Sequence, residues 1–329
     1  DGFIEVVRVN MSLLRRRMKT PQPKLELFVK GSKSQTDLCL CYMADRVPQS
    51  LIAQIKARLD EMELESILSS GYLQPFLENR RGCLFDTVGT TQRPDVLCAK
   101  LLEGRVGLLI DGTPFALVIP KLFCESFQTM DDYCYRPAYA TLIRWIKYAA
   151  FLVAVLLPAL YVAIALHHPE LLNRTLLLIL ADAEENAPIS LTAEAIGVLL
   201  VYEIIREAGL RLPKAVGGAV SIVAGLIIGD AAVASGLIST PMLTVTAIAV
   251  IAGFVVPDLA QSITLLRLAF LLIAGFWGLF GISLLGAAVL FNLCAGESFG
   301  FPITAPIAPL YKKGFRDNLT RLRLRKMQY

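Results

Sequence analysis

The sequence predicts an α/β soluble N-terminal domain followed by an all-α multi-span membrane domain. Charged residues and short alternating apolar runs fill the first part of the chain, whereas Leu, Ile, Val, Ala and Gly dominate from Trp145 to Leu310. Hydrophobic residues make up 55% of the chain, above the roughly 45–50% of ordinary soluble domains. We therefore expect a cytosolic α/β domain over residues 1–140, a helical transmembrane domain over 141–310 and a basic cytosolic tail over 311–329.

The N-terminal part alternates between helical and strand patterns. Helices are predicted where apolar residues recur every three to four positions, or where a proline opens a first turn: Phe3–Met18, a helix opened by Pro48, Tyr72–Leu77 and a helix opened by Pro94. Strands are predicted at Leu25–Lys30 and Asp37–Met43, and Leu64–Leu68 is a further candidate strand. The turn Asp111-Gly112 between Val106–Ile110 and Phe115–Ile119 predicts a β-hairpin.

Several functional classes lack support in the residues. No Gly-rich phosphate loop and no G-x-G-x-x-G follows a strand, so a nucleotide cofactor is not expected. The seven cysteines include no Cys-x-x-Cys pair, and the two histidines, His167 and His168, are adjacent, which disfavours a metal site or a catalytic triad. We expect reduced cysteines, no enzymatic activity and no cofactor. The net charge of +4, without a basic patch interleaved with aromatics, argues against nucleic-acid binding.

The second half contains apolar segments near the length of a bilayer core, about 20 residues. Ile146–Leu166 is the predicted first span, and the shorter Glu170–Ala181 is predicted to be an interfacial or re-entrant helix. Further apolar segments are Leu191–Ala208, Ala215–Ile238, Leu243–Val256 and Ile263–Leu293. The last is too long for one perpendicular span, so we expect tilt or a break near Gly275–Gly281. Four to six crossings are predicted.

The ends of this half carry signals of their own. Ser298–Pro309 is too rich in Pro and Gly for a regular helix, and at membrane depth it would have to be buried in protein or line a wet cavity. Arg144 and Lys147 at the first span, and a basic run in the tail, place both ends in the cytosol by the positive-inside rule. The tail serves either as a site for anionic lipid or as a topology anchor.

Ionisable side chains inside a membrane are costly, so each is a functional hypothesis. The candidates for lining a pore or binding a ligand are Glu194, Glu203, Arg206, Glu207, Arg211 and Asp230. Glu203 and Arg206 are three residues apart and can form a local ion pair. The alternative for the first five is a helix exposed at the interface or a structural ion-pair network. For Asp230 we expect one of three situations: it faces a wet cavity, it pairs with an arginine such as Arg267, or it stays protonated.

Several motifs, in order and over nearly the whole chain, carry a family resemblance. They are Asp1-Gly2-Phe3-Ile4-Glu5, Leu13-Leu14-Arg15-Arg16-Arg17, Arg93-Pro94-Asp95, Leu102-Glu103-Gly104-Arg105-Val106, Ile110-Asp111-Gly112-Thr113-Pro114-Phe115, Asp131-Asp132-Tyr133, Pro158-Ala159-Leu160-Tyr161-Val162-Ala163, Glu203 with Glu207-Ala208-Gly209-Leu210-Arg211-Leu212-Pro213, and Ser298-Phe299-Gly300-Phe301-Pro302. With these motifs the chain resembles the spore germination receptor A-subunit family, the GerA family of endospore-forming bacteria, which includes stage V sporulation protein AF.

The resemblance implies a multi-pass protein of the cell membrane, namely the inner membrane of the dormant spore. It implies a response to nutrients, B-type and C-type partner subunits, and a homo-oligomeric ring with a cation-conducting pore. Family members carry a further soluble subdomain upstream, so the resemblance implies that this chain is truncated at its N-terminus. The family pattern has an uncharged polar residue where this chain has Asp230. A ring of carboxylates there would favour cations.

Two alternatives to a receptor or channel subunit remain open. A secondary transporter for a small nutrient would need a site near the membrane midplane on broken helices. Glu203, Arg206 and the irregular segment after the last span could supply it. A scaffold subunit would only bind partners and lipid, without transport of its own.

Overall fold

A computed structural model describes residues 2–78, 83–185, 189–213, 229–311 and 314–322, with the single positions 222, 225 and 227. The chain divides into two compact units. We call the first, formed by Asp1–Ala140 and Asn292–Tyr329, the sheet unit, and the second, Thr141–Phe291, the helical unit.

The sheet unit contains a five-stranded antiparallel sheet with the strand order β1-β2-β4-β5-β3. Its strands are β1 (Pro23–Lys30), β2 (Thr36–Met43), β3 (Gly89–Thr91), β4 (Val106–Ile110) and β5 (Ala116–Ile119). The predicted hairpin is confirmed, because Val106 of β4 pairs with Ile119 of β5. The helices of this unit are α1 (Val7–Arg17), α2 (Gln49–Asp60), α3 (Gln74–Leu77) and α4 (Pro94–Leu102).

Both faces of strand β2 are buried. Leu38 and Leu40 belong to the core cluster that contains the buried residues of α2. Cys39 and Cys41 belong to a second cluster with residues of α1 and α4. Because successive side chains of a strand point to opposite faces, a strand covered on both sides needs an uninterrupted apolar run. The run Leu38-Cys39-Leu40-Cys41 meets that requirement.

Two local predictions were wrong. Leu64–Leu68 is irregular rather than a strand, because its carbonyls accept hydrogen bonds from the turn after β1: Ser32 N–H donates to Leu64 O and Lys33 N–H donates to Glu65 O. Helix α1 begins at Val7 instead of Phe3. The Asp111 carboxylate accepts a hydrogen bond from Val7 N–H at 2.9 Å, so the hairpin turn satisfies an N–H of the first helical turn.

The segment after the last long helix belongs to the sheet unit, although the sequence assigned it, up to residue 310, to the transmembrane domain. It forms a short hairpin of β6 (Glu297–Ser298) and β7 (Phe301–Pro302), and it is non-helical as predicted. Phe299 lies in the core cluster of α2, and Ile303 is fully buried and accepts a hydrogen bond from Phe123 N–H at 3.0 Å. Protein, rather than lipid or a wet cavity, buries these apolar side chains.

Residues that follow this hairpin bind the segment that precedes the first long helix. Arg321 donates hydrogen bonds to Tyr133 O, at 2.9 Å, and to Tyr135 O. The hydroxyl of Tyr133 donates to the Asp317 carboxylate. The chain before and after the helical unit is thus held together within the sheet unit.

The seven cysteines are unpaired in the structure. Burial and the neighbouring Glu125 carboxylate raise the pKa of Cys124 to about 12, whereas Cys134 is exposed. Since only the thiolate reacts, we expect a maleimide at pH 8 to modify Cys134 at least about tenfold faster than Cys124. Mass spectrometry of tryptic peptides gives the rate at each cysteine separately, including the second exposed thiol, Cys294, and a Cys134→Ser variant should leave the rate at Cys124 unchanged. Equal rates at Cys134 and Cys124 would contradict the burial of Cys124.

The helical unit contains α5 (Pro137–His167, which starts in the sheet unit), α6 (Arg174–Glu185), α7 (Leu191–Arg211), α8 (Thr240–Phe254) and α9 (Ala260–Cys294, which ends in it). Among the described residues, two helical stretches, Pro137–His167 and Pro257–Cys294, are long and apolar enough to cross a bilayer. The predicted break in the last apolar run is confirmed, because Gly278 has non-helical φ 58° and ψ −142°. Within the predicted span Ala215–Ile238, residues 215–221, 223, 224, 226 and 228 lie outside the described residues, and residues 229–234 are helical.

Candidate functional site

A partly buried cluster of charged side chains joins helices α7 and α9. Glu203 Oε2 lies 2.6 Å from Arg206 Nη2, one helical turn away on α7. Glu203 Oε1 accepts hydrogen bonds from Thr264 Oγ1 at 3.0 Å and from Arg267 Nη2 at 3.3 Å, both on α9. The Arg267 guanidinium also lies 5.7 Å from the ring centroid of Tyr202, a cation–π distance. We call Tyr202, Glu203, Arg206, Thr264 and Arg267 the α7–α9 cluster.

The α7–α9 cluster is short of acceptors. The Arg267 side chain is 3% exposed and that of Glu203 is 18% exposed. Arg267 Nε, Arg267 Nη1 and Arg206 Nε are buried and have no hydrogen-bond partner among the described residues. A buried guanidinium has five N–H donors and is stable only when its charge and its donors are matched. A single carboxylate for two guanidiniums leaves the cluster with a net charge of about +1.

Glu194 lies at a separate place, in the first turn of α7. It is 3% exposed, and its Oε1 accepts hydrogen bonds from Ser239 N–H at 2.6 Å and from Ser239 Oγ at 2.7 Å. Ser239 is the residue before α8, so a carboxylate is placed at the positive end of that helix. Its Oε2 is buried without a partner in the described part of the chain. The contacts give Glu194 the role of a helix cap.

Glu207 and Arg211 pair with each other on the surface of α7, at 2.8 Å. The side chains are 54% and 79% exposed, so this pair contributes little to stability. Asp230 is also exposed. The suggested pairing of Asp230 with Arg267 is not formed, because Arg267 binds Glu203 instead.

An apolar cavity of about 630 Å³ opens beside the α7–α9 cluster. Its polar lining groups come from Tyr202, Arg206 and Thr246, and the Thr246 hydroxyl is buried without a partner among the described residues. The other lining residues are apolar side chains and glycines of α7, α8 and the chain between them: Val198, Val201, Ile205, Gly209, Leu210, Ile222, Gly225, Gly229, Ala232, Ile238, Leu243, Ala247, Val250, Ile251 and Phe254.

The sequence predicted the Glu203–Arg206 pair. It did not predict that Thr264 and Arg267 contact Glu203. Nor did it predict that Ser239 is the partner of Glu194. The first pair follows from helical spacing alone. The other contacts join residues 45 to 64 positions apart. The only signal in the sequence was the isolated charge of Arg267 within an apolar run, which needs a counter-charge wherever the helix packs.

Two of the motifs that carry the family resemblance meet in the sheet unit. Arg93 lies 2.8 Å from Asp95 and 3.5 Å from Asp131, and the Arg93 guanidinium lowers the pKa of the Asp95 carboxyl. Asp132 is buried and forms a capping box with Thr129. These acidic residues therefore shape the start of α4 and the approach to α5. They belong to no group of metal-ligating side chains within the described ranges.

The similarity of this chain to known proteins extends over the whole sequence. The family model described as Bacillus/Clostridium GerA spore germination protein matches residues 1–329. Spore germination protein KA of Bacillus subtilis is 39% identical over 98% of this chain and 60% of its own length. An uncharacterized membrane protein, YfkQ, of the same organism is 38% identical over 98% of this chain and 63% of its own length. Spore germination protein GerLA of Bacillus cereus is 33% identical over 98% of this chain and 66% of its own length.

One solved structure is also similar, the crystal structure of the N-terminal domain of the A subunit of the Bacillus megaterium spore germinant receptor GerK3. It is 37% identical and aligns with 37% of this chain and 98% of that domain, with a TM-score of 0.31. The chain spans about 60% of the length of the first curated relatives it matches. Because the family model matches every residue from 1 to 329, the chain belongs to the GerA spore germination protein family.

Proposed function

We propose that this chain is a membrane subunit of a nutrient-responsive spore germinant receptor. The observation that carries the proposal is the family match over all 329 residues. Relatives named as spore germination proteins and one named as a membrane protein support it. The two apolar stretches Pro137–His167 and Pro257–Cys294 support insertion into a bilayer. Other receptor subunits, of the B and C types, would be its partners.

We further propose an even number of crossings, four to six, with both ends in the cytosol. The chain enters the helical unit after Ala140 and leaves it before Asn292, and both flanking segments belong to the sheet unit. A folded unit built from both flanks requires that the spans begin and end on the same side of the membrane. Cysteine accessibility in inside-out and right-side-out vesicles tests this, since Cys134 should be labelled from the cytosolic side only.

A homo-oligomer with a cation-conducting path is the finer part of the proposal. Asp230 is an exposed carboxylate in a helical segment whose neighbours Gly229 and Ala232 line the apolar cavity. Copies of Asp230 around a pore would concentrate cations locally. The contacts of Glu203 with Arg206 and Arg267 support the structural ion-pair alternative for these residues over a pore-lining role.

The substitution Asp230→Asn tests whether Asp230 lines a cation-conducting path. In vesicles that contain the reconstituted receptor, we expect cation flux to fall by about tenfold, since a carboxylate ring raises the local cation concentration by at least that factor. Glu207→Gln is the matched control, because it removes one exposed carboxylate that is paired with Arg211. Unchanged flux and ion selectivity in Asp230→Asn would show that Asp230 does not line a conducting path.

A secondary transporter is the second candidate, and the cavity beside Arg206 is the observation that favours it. The assignment of Ser298–Pro309 to the sheet unit counts against this candidate, which had used that segment as part of its site. Saturable, stoichiometric uptake of a nutrient would support the transporter, whereas unitary conductance steps in a planar bilayer would support the channel. Partner assembly without any flux would support a scaffold subunit.

A further inference from the structure

The α7–α9 cluster carries one positive charge that no described residue neutralises. Glu203 serves both arginines, Arg206 through Oε2 and Arg267 through Oε1. The nearest other carboxylate on α7, Glu207, is paired with Arg211. Three buried guanidinium N–H groups, on Arg267 and Arg206, lack acceptors among the described residues. An excess cation in an apolar helical unit is costly, and an added anion would remove that cost.

The cavity beside the cluster suits an anion that has an apolar part. Arg206 and Tyr202 belong both to the cluster and to the cavity wall. The rest of the wall is almost entirely apolar. The volume of about 630 Å³ is within the range of ordinary ligand sites, about 300–1,000 Å³. A ligand with an anionic group at Arg206 and a hydrocarbon chain in the cavity would match both the charged cluster and the apolar cavity wall.

The position of the cluster along its helices favours a lipid headgroup over a group at the membrane midplane. Arg206, the residue proposed to contact the phosphate, is five residues before the end of α7 at Arg211, about 8 Å along the axis. Arg267 is seven residues after the start of α9 at Ala260, about 10 Å along the axis. The guanidinium of Arg206, which lines the cavity, therefore lies near the end of α7, where a long arginine side chain reaches the headgroup level.

We propose that the α7–α9 cluster and the adjoining cavity bind one anionic membrane phospholipid. Its phosphate contacts Arg206 and neutralises the excess charge shared with Arg267, and one acyl chain occupies the cavity. Guanidinium groups bind phosphate through paired N–H donors, and basic pockets between membrane helices recognise acidic headgroups in this way. The inference rests on the proposed membrane location of the chain.

The test is native mass spectrometry of the full chain, purified in mild detergent with phosphatidylglycerol or with phosphatidylcholine. We expect phosphatidylglycerol to be retained about tenfold more strongly, and Arg206→Gln to lose about that factor. Arg211→Gln is the matched control, because it removes an exposed arginine from the same helix, and retention should be unchanged. Val250→Trp fills the cavity without changing charge and should also lower retention, which keeps the test valid if Arg206→Gln does not fold.

Equal retention of the two lipids, or full retention by folded Arg206→Gln and Val250→Trp, would overturn the site. Displacement of phosphatidylglycerol by millimolar inorganic phosphate would show a free-anion site instead. Loss of oligomers in Arg206→Gln with lipid retention unchanged would show that an acidic group of a second copy fills the cluster. Membrane insertion is measured separately, by the resistance of the chain to alkaline extraction from vesicles. A chain that is inserted but shows no lipid preference would refute the lipid site and leave the proposed function intact.

Discussion

Replacement of Glu203 by glutamine should destabilise the helical unit by about 3–5 kcal/mol, the range measured when one partner of a buried ion pair is removed. The Arg267 side chain, 3% exposed, would lose the only carboxylate within 4 Å among the described residues. Arg206 would lose its 2.6 Å contact at the same time. Thermal unfolding of the purified chain in detergent, followed by far-ultraviolet circular dichroism, measures the loss.

Two variants make this result specific to the buried pair. Glu207→Gln removes the same charge one turn further along α7, where the side chain is 54% exposed, and should change stability by less than about 1 kcal/mol. The double variant Glu203→Gln/Arg267→Met removes both members of one pair and should recover part of the loss, because an apolar side chain replaces the stranded cation. Equal effects of Glu203→Gln and Glu207→Gln would refute the burial of the cluster.

Gly278→Ala should destabilise the same unit through the backbone. Gly278 has φ 58° and ψ −142° inside α9, a region that side-chain-bearing residues occupy at a cost of about 1–3 kcal/mol. An alanine Cβ would also lie 3.0 Å from His167 Cβ at the end of α5, which adds a steric term. The same thermal unfolding experiment should therefore show a clear decrease in the midpoint.

Gly286→Ala is the matched control on the same helix. No atom lies within 4 Å of the Cβ position at Gly286, and Gly286 is helical. Alanine there should stabilise the helix by about 0.5–1 kcal/mol, because glycine loses more backbone entropy on folding. A stabilising effect of both substitutions would mean that α9 is continuous at residue 278.

The sequence predicted those features that depend on neighbours along the chain. The Asp111-Gly112 hairpin and the Glu203–Arg206 pair follow from local spacing, and the break in α9 follows from a glycine-rich run that is too long for one span. Leu64–Leu68 has the composition of a strand, but its carbonyls accept hydrogen bonds from the turn after β1. Local composition cannot reveal such a constraint.

Long-range contacts explain the remaining differences. The sequence left open whether the irregular segment Ser298–Pro309 is buried in protein or lines a wet cavity, and only tertiary packing decides between them. The same holds for the candidate site. Arg267 and Ser239 acquire their roles from partners on another helix, and helical periodicity carries no information about which helices are neighbours.

The return of the C-terminal segment to the sheet unit has a consequence for the order of events during synthesis. Ser298 contacts Thr87, 211 positions earlier, and Gln128 contacts Asp317 across 189 positions. The ribosome delivers the N-terminal residues first, so the core cluster that holds Phe299 stays incomplete until nearly the whole polypeptide has been made. The final packing step of this domain is post-translational. A chain stopped before residue 292 would leave an unfilled apolar surface for chaperones to bind.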